Sequence, residues 1–308
     1  MAATERAPGD VDAIVVTWNS APHLGATLAA LPTSVHALVV DNGSADDSAD
    51  IARVHGATVH ELKRNLGFPV AVNRALEEVT AELVLLLNPD LVVGPLAIER
   101  CAAVLTADDT IGLVGPATTT PDGRPEPAAA RADRRAWHIA LESLGLVHLD
   151  RRFDRQMVHD RSHDQDVDAV NGAFMLMRTD VLRSLGGLDE SVFMYLEDAD
   201  LCRRVRDRGL RVRFVANAHA VHLGGASTAQ GDQHAQARAY LHRIDADLEF
   251  LRRHGHRGEV PLAIGAFVLR ALVGLVVSVV RPARRARYRA ALGFTLRQVS
   301  GRRPAPPV

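Results

Sequence analysis

Three aspartates stand where a carboxylate could do chemistry. Asp41 closes the apolar run His36-Ala37-Leu38-Val39-Val40 and leads into Asn42-Gly43-Ser44. Asp90 closes Asn88-Pro89-Asp90, directly after Leu83–Leu87. Asp198 lies in Glu197-Asp198-Ala199-Asp200-Leu201, and His222 ends a later apolar stretch. An ionised carboxylate only accepts hydrogen bonds, can hold a hard cation, and can take up a proton. Each residue also has a structural reading. Asp-Asn-Gly-Ser is a turn sequence. The acids at 197–200 suit a helix start, where the dipole favours their ionised form. Asp200 and Arg204, four apart, can simply pair. A lone histidine such as His222 is as readily a packed or capping group.

The elements that must position these groups are legible as alternation. Apolar runs at 12–17, 36–41, 57–61, 83–88 and 111–115 read as strands. Helical spacing falls at 22–31, 45–55, 69–79 and 95–107. Pro22 suits a first helical turn, with Ser20 as its candidate cap. Short apolar strands alternating with helices predict an α/β fold, a mostly parallel sheet flanked by helices. Ligands bind such sheets beyond the carboxyl ends of the strands. Those ends carry Thr17-Trp18-Asn19, Asp41-Asn42-Gly43-Ser44 and Asn88-Pro89-Asp90. Residues 116–166 are rich in Pro, Arg and Asp with weak periodicity, apart from a helix near 134–146, and read as a loop region. Order returns with a Gly-broken strand at 167–178, helices at 179–186 and 198–208, and one or two strands at 211–222.

Composition narrows the function. The 308 residues carry a net charge of -1, with 47% hydrophobic and 24% charged residues, so no global field marks a nucleic-acid binder. The two cysteines, Cys101 and Cys202, make no CxxC pair and read as buried thiols of a reducing compartment. No GxGxxG follows the first strand and no GxxxxGK[ST] occurs, which disfavours a dinucleotide dehydrogenase or a P-loop enzyme.

What remains resembles the family 2 glycosyltransferases of the GT-A fold. The resemblance rests on Val16-Thr17-Trp18-Asn19, Val40-Asp41-Asn42-Gly43-Ser44, Asn65-Leu66-Gly67-Phe68 with Asn73, Leu87-Asn88-Pro89-Asp90, Asn171-Gly172-Ala173 and Glu197–Leu201, over roughly 11–228. The phrases at 65–73, 86–90 and 193–204 are most similar to the bacterial dTDP-rhamnosyltransferases of cell-wall and polysaccharide assembly. The resemblance implies an inverting, metal-dependent transfer of L-rhamnose from dTDP-rhamnose to a glycan or polyprenyl-diphosphate-linked acceptor. A UDP-sugar donor is the alternative. Further alternatives are a nucleotidyltransferase and a non-catalytic sugar-nucleotide binding module.

The resemblance also assigns roles. Asp41 accepts a pyrimidine N3–H, and Thr17, Asn19, Asn42, Gly67, Asn73 and Asn88 line the nucleotide. Asp90 contacts Mg2+ or Mn2+, which neutralises the leaving diphosphate. Many relatives have Asp-x-Asp where this chain has Asn88-Pro89-Asp90, so the metal must borrow ligands, and His222 is a candidate. Asp198 is the base, and Asn171, Gly172, Ala173 and Glu197 line the sugar and acceptor pocket. A single displacement needs only one positioned carboxylate, by analogy with inverting glycosidases.

The domain plan is a loose tail at 1–10, a glycosyltransferase domain at 11–228 (11–115 for the nucleotide, 116–228 for acceptor and catalysis) and a helical, basic region at 229–308. Residues 260–280 are almost wholly apolar but interrupted by Pro261 and Arg270, and 260–308 hold no Asp or Glu. A charge at mid-span is costly, so these Arg-rich helices are expected to lie on an anionic membrane surface. Packing on the catalytic domain or a second subunit, as in a homo-oligomer, is the alternative. The expected location is cytoplasmic, on the inner face of the cell membrane.

Overall fold

The computed structural model describes residues 10–126, 129–146, 160–223, 233–278 and 282–299. In chain order the strands are β1 (Val11–Thr17), β2 (His36–Asp41), β3 (Thr58–Glu61), β4 (Leu83–Leu87), β5 (Leu91–Val93), β6 (Ile111–Thr119), β7 (Ala130–Arg131), β8 (Gln165–Asp166), β9 (Ala169–Val170), β10 (Phe174–Arg178) and β11 (Arg211–His222). The helices are α1 (Ala21–Ala29), α2 (Ser48–Val54), α3 (Phe68–Leu76), α4 (Ala97–Ala107), α5 (Ala136–Leu144), α6 (Thr179–Ser184), α7 (Glu197–Asp207), α8 (Gln233–His254), α9 (Glu259–Val277) and α10 (Pro282–Val299).

The chain forms two compact units. The first gathers the described residues within Met1–Ala132, Met157–Ser191 and Glu197–Ala226 around a nine-stranded sheet. Its order is β3-β2-β1-β4-β10-β6-β11-β5, with β8 pairing β11. Pairs β1–β2, β1–β4, β2–β3 and β6–β11 are parallel. β10 runs antiparallel to β4 and β6, and β5 antiparallel to β11. The sheet is thus mixed, and a reversed strand sits at its centre.

Side chains alternate along each strand, so each face buries its own set. Ile14, Val16, Leu38, Val40, Val84, Leu86, Met175 and Met177 pack on one face with Ala71, Val72 and Leu76 of α3 and Leu201, Cys202 and Val205 of α7. Ala13, Val15, Val39, Leu83, Leu85, Leu87 and Phe174 pack on the other with Leu24 and Leu28 of α1 and Ile98, Cys101 and Leu105 of α4. A fully buried Leu of this kind contributes roughly 1.5–3 kcal/mol. β4 is buried along its whole length, which is why its sequence shows no polar alternation. Burial pushes the Cys101 thiol up, and pushes that of Cys202 up to about 12, so both are inert packing groups.

The second unit takes the described residues within Asp133–Gln156, Val192–Leu196 and Ser227–Val308. Its core joins Ala136 and Ile139 of α5, Leu241, Ile244, Leu248 and Leu251 of α8, Ala263 and Phe267 of α9, and Ala291 and Phe294 of α10. The helix near 134–146 packs with the C-terminal helices. Arg134 fixes it there, with Nε 2.5 Å from Asp247 and Nη2 2.8 Å from Glu142.

Candidate active site

Parallel pairing brings the carboxyl ends of β1, β2, β4, β6 and β11 to one sheet edge, and the reversed β10 begins there. Thr17 and Asp41 are register partners at the ends of β1 and β2. Asn88 leaves β4 with its N–H donating to the Ala173 carbonyl at 3.0 Å, just before β10. Leu223 N–H donates to the Asp90 carbonyl at 2.8 Å, so the chain after His222 is tied to Asp90. Residues from five distant stretches of sequence thereby meet.

Asp198 is 7% exposed at the start of α7. Its Oδ2 accepts the Gly172 N–H at 3.0 Å and lies 2.6 Å from Arg131 Nη2. Oδ1 accepts the Ala199 N–H at 2.7 Å. The close approach needs glycine, because a Cβ at Gly172 would stand 3.1 Å from Asp198 Cβ. Asn171 stabilises the same turn, its Oδ1 accepting the Ala173 N–H at 3.1 Å. Ala173 itself is buried. Glu197 is the first residue of α7. Tyr195 and Leu196, just before it, hold positive φ of 73° and 60°, a conformation unfavourable for non-glycine residues. Asp200 pairs with Arg204 at 2.7 Å, and Arg204 Nη1 reaches the carbonyls of Leu185 and Gly187, so that carboxylate is structural.

Asp90 and His222 come together, with His222 Nε2 3.3 Å from Asp90 Oδ1. The opposite ring nitrogen, Nδ1, is 3.0 Å from Glu126 Oε1. Burial opposes a charged imidazole here, but hydrogen bonds to Asp90 and Glu126, and their charges, push its pKa up to about 10. Burial likewise opposes the charge on Glu126, yet His222 holds that carboxyl below the usual range. Among the described residues no three His, Cys, Asp or Glu side chains form a ready-made metal cluster.

Asp41 is 4% exposed, and both its oxygens receive the Ser44 N–H, at 3.3 and 3.2 Å. The Ser44 hydroxyl also donates to it. The turn reading of Asp-Asn-Gly-Ser therefore holds, while a carboxylate's remaining lone pairs stay available. Asn19 takes a positive φ of 53° and ties to the same turn, its Oδ1 accepting the Ala45 N–H at 2.8 Å. Asn42 joins two loops: its Nδ2 donates to Asn65 Oδ1 and the Gly67 carbonyl, and its Oδ1 accepts the Leu66 N–H. Gly67 has φ +93° at the entry to α3, a backbone that glycine adopts freely. Asn73 is not drawn to this group. Its amide bonds the Leu188 carbonyl and N–H and Glu190, and it holds the Gly186-Gly187 turn against α3.

Two residues of the site, Glu126 and Arg131, do not show in the sequence. Both fall in the aperiodic stretch after β6. A turn at Thr120-Pro121-Asp122-Gly123 folds the chain back, so that Glu126 N–H donates to the Thr118 carbonyl at 2.9 Å. Arg131 is held by the two-residue ladder of β7 with β9. The Pro-Asp-Gly turn was the one readable signal.

Comparison with known proteins identifies the family. The sequence model of "Glycosyltransferase like family 2" matches residues 8–240. The chain is 28% identical over 235 residues to the N-acetylglucosaminyl-diphospho-decaprenol L-rhamnosyltransferase of Mycobacterium tuberculosis, covering 70% of this chain and 76% of that one. It is 42% identical over 59 residues to the rhamnosyltransferase WbbL of Escherichia coli, 19% of this chain and 22% of that one. The mannosyltransferase PcManGT of Pyrobaculum calidifontis, solved with GDP-Man and Mn2+, superposes with a TM-score of 0.55 at 18% identity, over 93% of this chain and 87% of that one. The chain is therefore an enzyme of glycosyltransferase family 2, with the GT-A fold and rhamnosyltransferases among its relatives.

Proposed function

We propose that the protein transfers L-rhamnose from dTDP-rhamnose to a hydroxyl of a lipid-linked or glycan acceptor, with inversion at the anomeric carbon. Asp198 carries the reading: a buried carboxylate, held by the Gly172 N–H at the sheet edge where β2 ends in Asp41 and Asp90 follows β4. In the reaction the acceptor hydroxyl loses its proton to Asp198 as its oxygen bonds C1 of the sugar. The C1–O bond to the diphosphate breaks on the opposite side and its electron pair leaves with the diphosphate. The Gly172 N–H and Arg131 orient the Asp198 carboxylate for that proton. Asp41 reads the base, beside the turn that Asn42 and Asn19 hold in place.

The donor set suits a divalent cation. Asp90 supplies a hard oxygen and His222 an imidazole, 3.3 Å apart at the mouth of β4 and β11. These two residues would hold Mg2+ or Mn2+, and when bound the ion would offset the negative charge of the leaving diphosphate. A fold neighbour solved with Mn2+ supports this assignment.

The rhamnosyl assignment is supported by the two rhamnosyltransferase relatives, and the lipid-linked acceptor by the name of the mycobacterial one. The C-terminal helices extend the reading to a membrane. Leu262, Leu269, Leu272, Val273, Val276 and Val277 of α9 are exposed, and they recur at helical spacing on one face. By length and composition α9 could also cross a bilayer. Arg270 lies 5.6 Å from the Tyr288 ring, on the side that packs on α10. Arg284 and Arg289 are exposed nearby in sequence. An apolar face flanked by arginines suits the surface of an anionic bilayer on its cytoplasmic side. The test is product analysis of the purified enzyme with dTDP-rhamnose, UDP-sugars and GDP-sugars, with a polyprenyl-diphosphate GlcNAc acceptor. Rhamnosylated product from dTDP-rhamnose is expected; turnover from UDP- or GDP-sugars alone would refute the donor assignment.

A further inference from the structure

We infer that Glu126 is a positioning residue that presents Nε2 of His222 to the divalent cation, an inference that rests on the metal reading above. The argument is one of ring geometry. His222 ends β11 as the register partner of Leu91, and Leu223 is bonded to the Asp90 carbonyl, so the imidazole and the Asp90 carboxylate start from fixed backbones. Glu126 approaches the far side of the ring, with Oε1 3.0 Å from Nδ1. A carboxylate can only accept, so Nδ1 must carry the proton at that contact. Asp90 likewise faces Nε2, so a cation bound there would take the place of the Nε2 proton, while Nδ1 keeps its own on Glu126. A carboxylate behind a ligating histidine fixes its tautomer and raises its basicity.

Two distances separate this role from direct ligation. Neighbouring ligands of one octahedral ion, each about 2.1 Å from it, stand about 3 Å apart. The 3.3 Å between Asp90 Oδ1 and His222 Nε2 is close to that spacing. Glu126 Oε1 is bonded to the opposite nitrogen, out of reach of an ion on Nε2. Burial works against the charge of Glu126, which the His222 ring and the Thr118 hydroxyl offset. Its backbone is held independently of the side chain: its N–H donates to the Thr118 carbonyl and its own carbonyl accepts Arg161 Nη1 at 2.6 Å.

The test is a Mn2+ titration of the full-length protein followed by electron paramagnetic resonance, with dTDP present. Pulsed measurement of imidazole nitrogen coupling to Mn2+ is the second readout. Glu126→Ala is expected to weaken Mn2+ binding roughly 10–100-fold and to lose the nitrogen coupling, with dTDP binding in the absence of metal unchanged. Glu126→Gln, which keeps an acceptor oxygen, is expected to recover much of both. Wild-type Mn2+ affinity and coupling in Glu126→Ala would overturn the inference. So would a loss in Glu126→Gln as deep as in Glu126→Ala, which would mark Glu126 as a ligand or a bare charge. If the wild-type protein binds no Mn2+ with dTDP, the metal reading itself fails.

Discussion

Gly172→Ala isolates the placement of the base from its identity. Gly172 N–H donates to Asp198 Oδ2 at 3.0 Å, and an added Cβ would meet Asp198 Cβ at 3.1 Å, Cγ at 3.5 Å and Oδ2 at 3.5 Å. Gly172 is not among the residues with positive φ, so alanine brings no backbone strain there. The side chain that must yield is Asp198. A hydrogen bond to a charged group is worth about 1.5–3 kcal/mol, and partial loss of it with a shift of some tenths of an ångström predicts a fall in kcat/KM of roughly 10- to 100-fold. Global stability should fall by less than about 1 kcal/mol, because the cleft edge and not the core gives way. The assay is initial-rate release of nucleoside diphosphate with acceptor present, beside a thermal melt. A folded variant with kcat/KM within about twofold of wild type would show that the Gly172–Asp198 contact does not position the base.

Other perturbations separate catalysis from architecture. Asp198→Asn should cost about 10²–10⁴ in kcat with little change in Tm, since the amide cannot take the acceptor proton; steady-state rates and a melt decide it. Asn42→Ala should destabilise by about 1–3 kcal/mol in a denaturant melt, because it strands the Leu66 N–H and frees the Asn65–Gly67 loop. Asp46 predicts an acid limb. Burial works against its charge, but hydrogen bonds from the Ser48 hydroxyl and the Ala21 and Ser48 N–H groups hold its carboxyl below its ordinary 3.8. A lowered folded pKa adds stability above the unfolded value that is lost as pH falls through the folded one. Asp46→Ala should therefore lower Tm at neutral pH and flatten its fall at acid pH. Glutamate at Leu269 and Leu272, which are 48% and 47% exposed, should abolish flotation with phosphatidylglycerol vesicles while leaving the melt unchanged.

Much of this architecture was legible because burial leaves periodic marks. β1, β2, β4 and β6 are buried runs between helices with a regular apolar stripe, and the polar residues at their ends fall on one edge by topology alone. The reversal of β10 was not legible, since a strand's residues do not encode the direction of its neighbours. β5, β7, β8 and β9 are two or three residues long, too short to show a period. Glu126 and Arg131 escaped for the same reason: a turn and a two-residue ladder place them, and neither imposes a pattern on the residues it holds. Asn42 and Asn73 show the opposite limit. Their types suit a ligand, but the structure commits both amides to holding loops, a use that shares its sequence signature with binding.

The most direct measurement is a crystal structure with dTDP-rhamnose and Mn2+, using Asp198→Asn to stop turnover. It should place the pyrimidine N3–H on Asp41, the diphosphate and ion against Asp90 and His222, and C1 of the sugar facing residue 198. A nucleotide bound away from Asp41, or a sugar whose C1 points away from residue 198, would contradict the account.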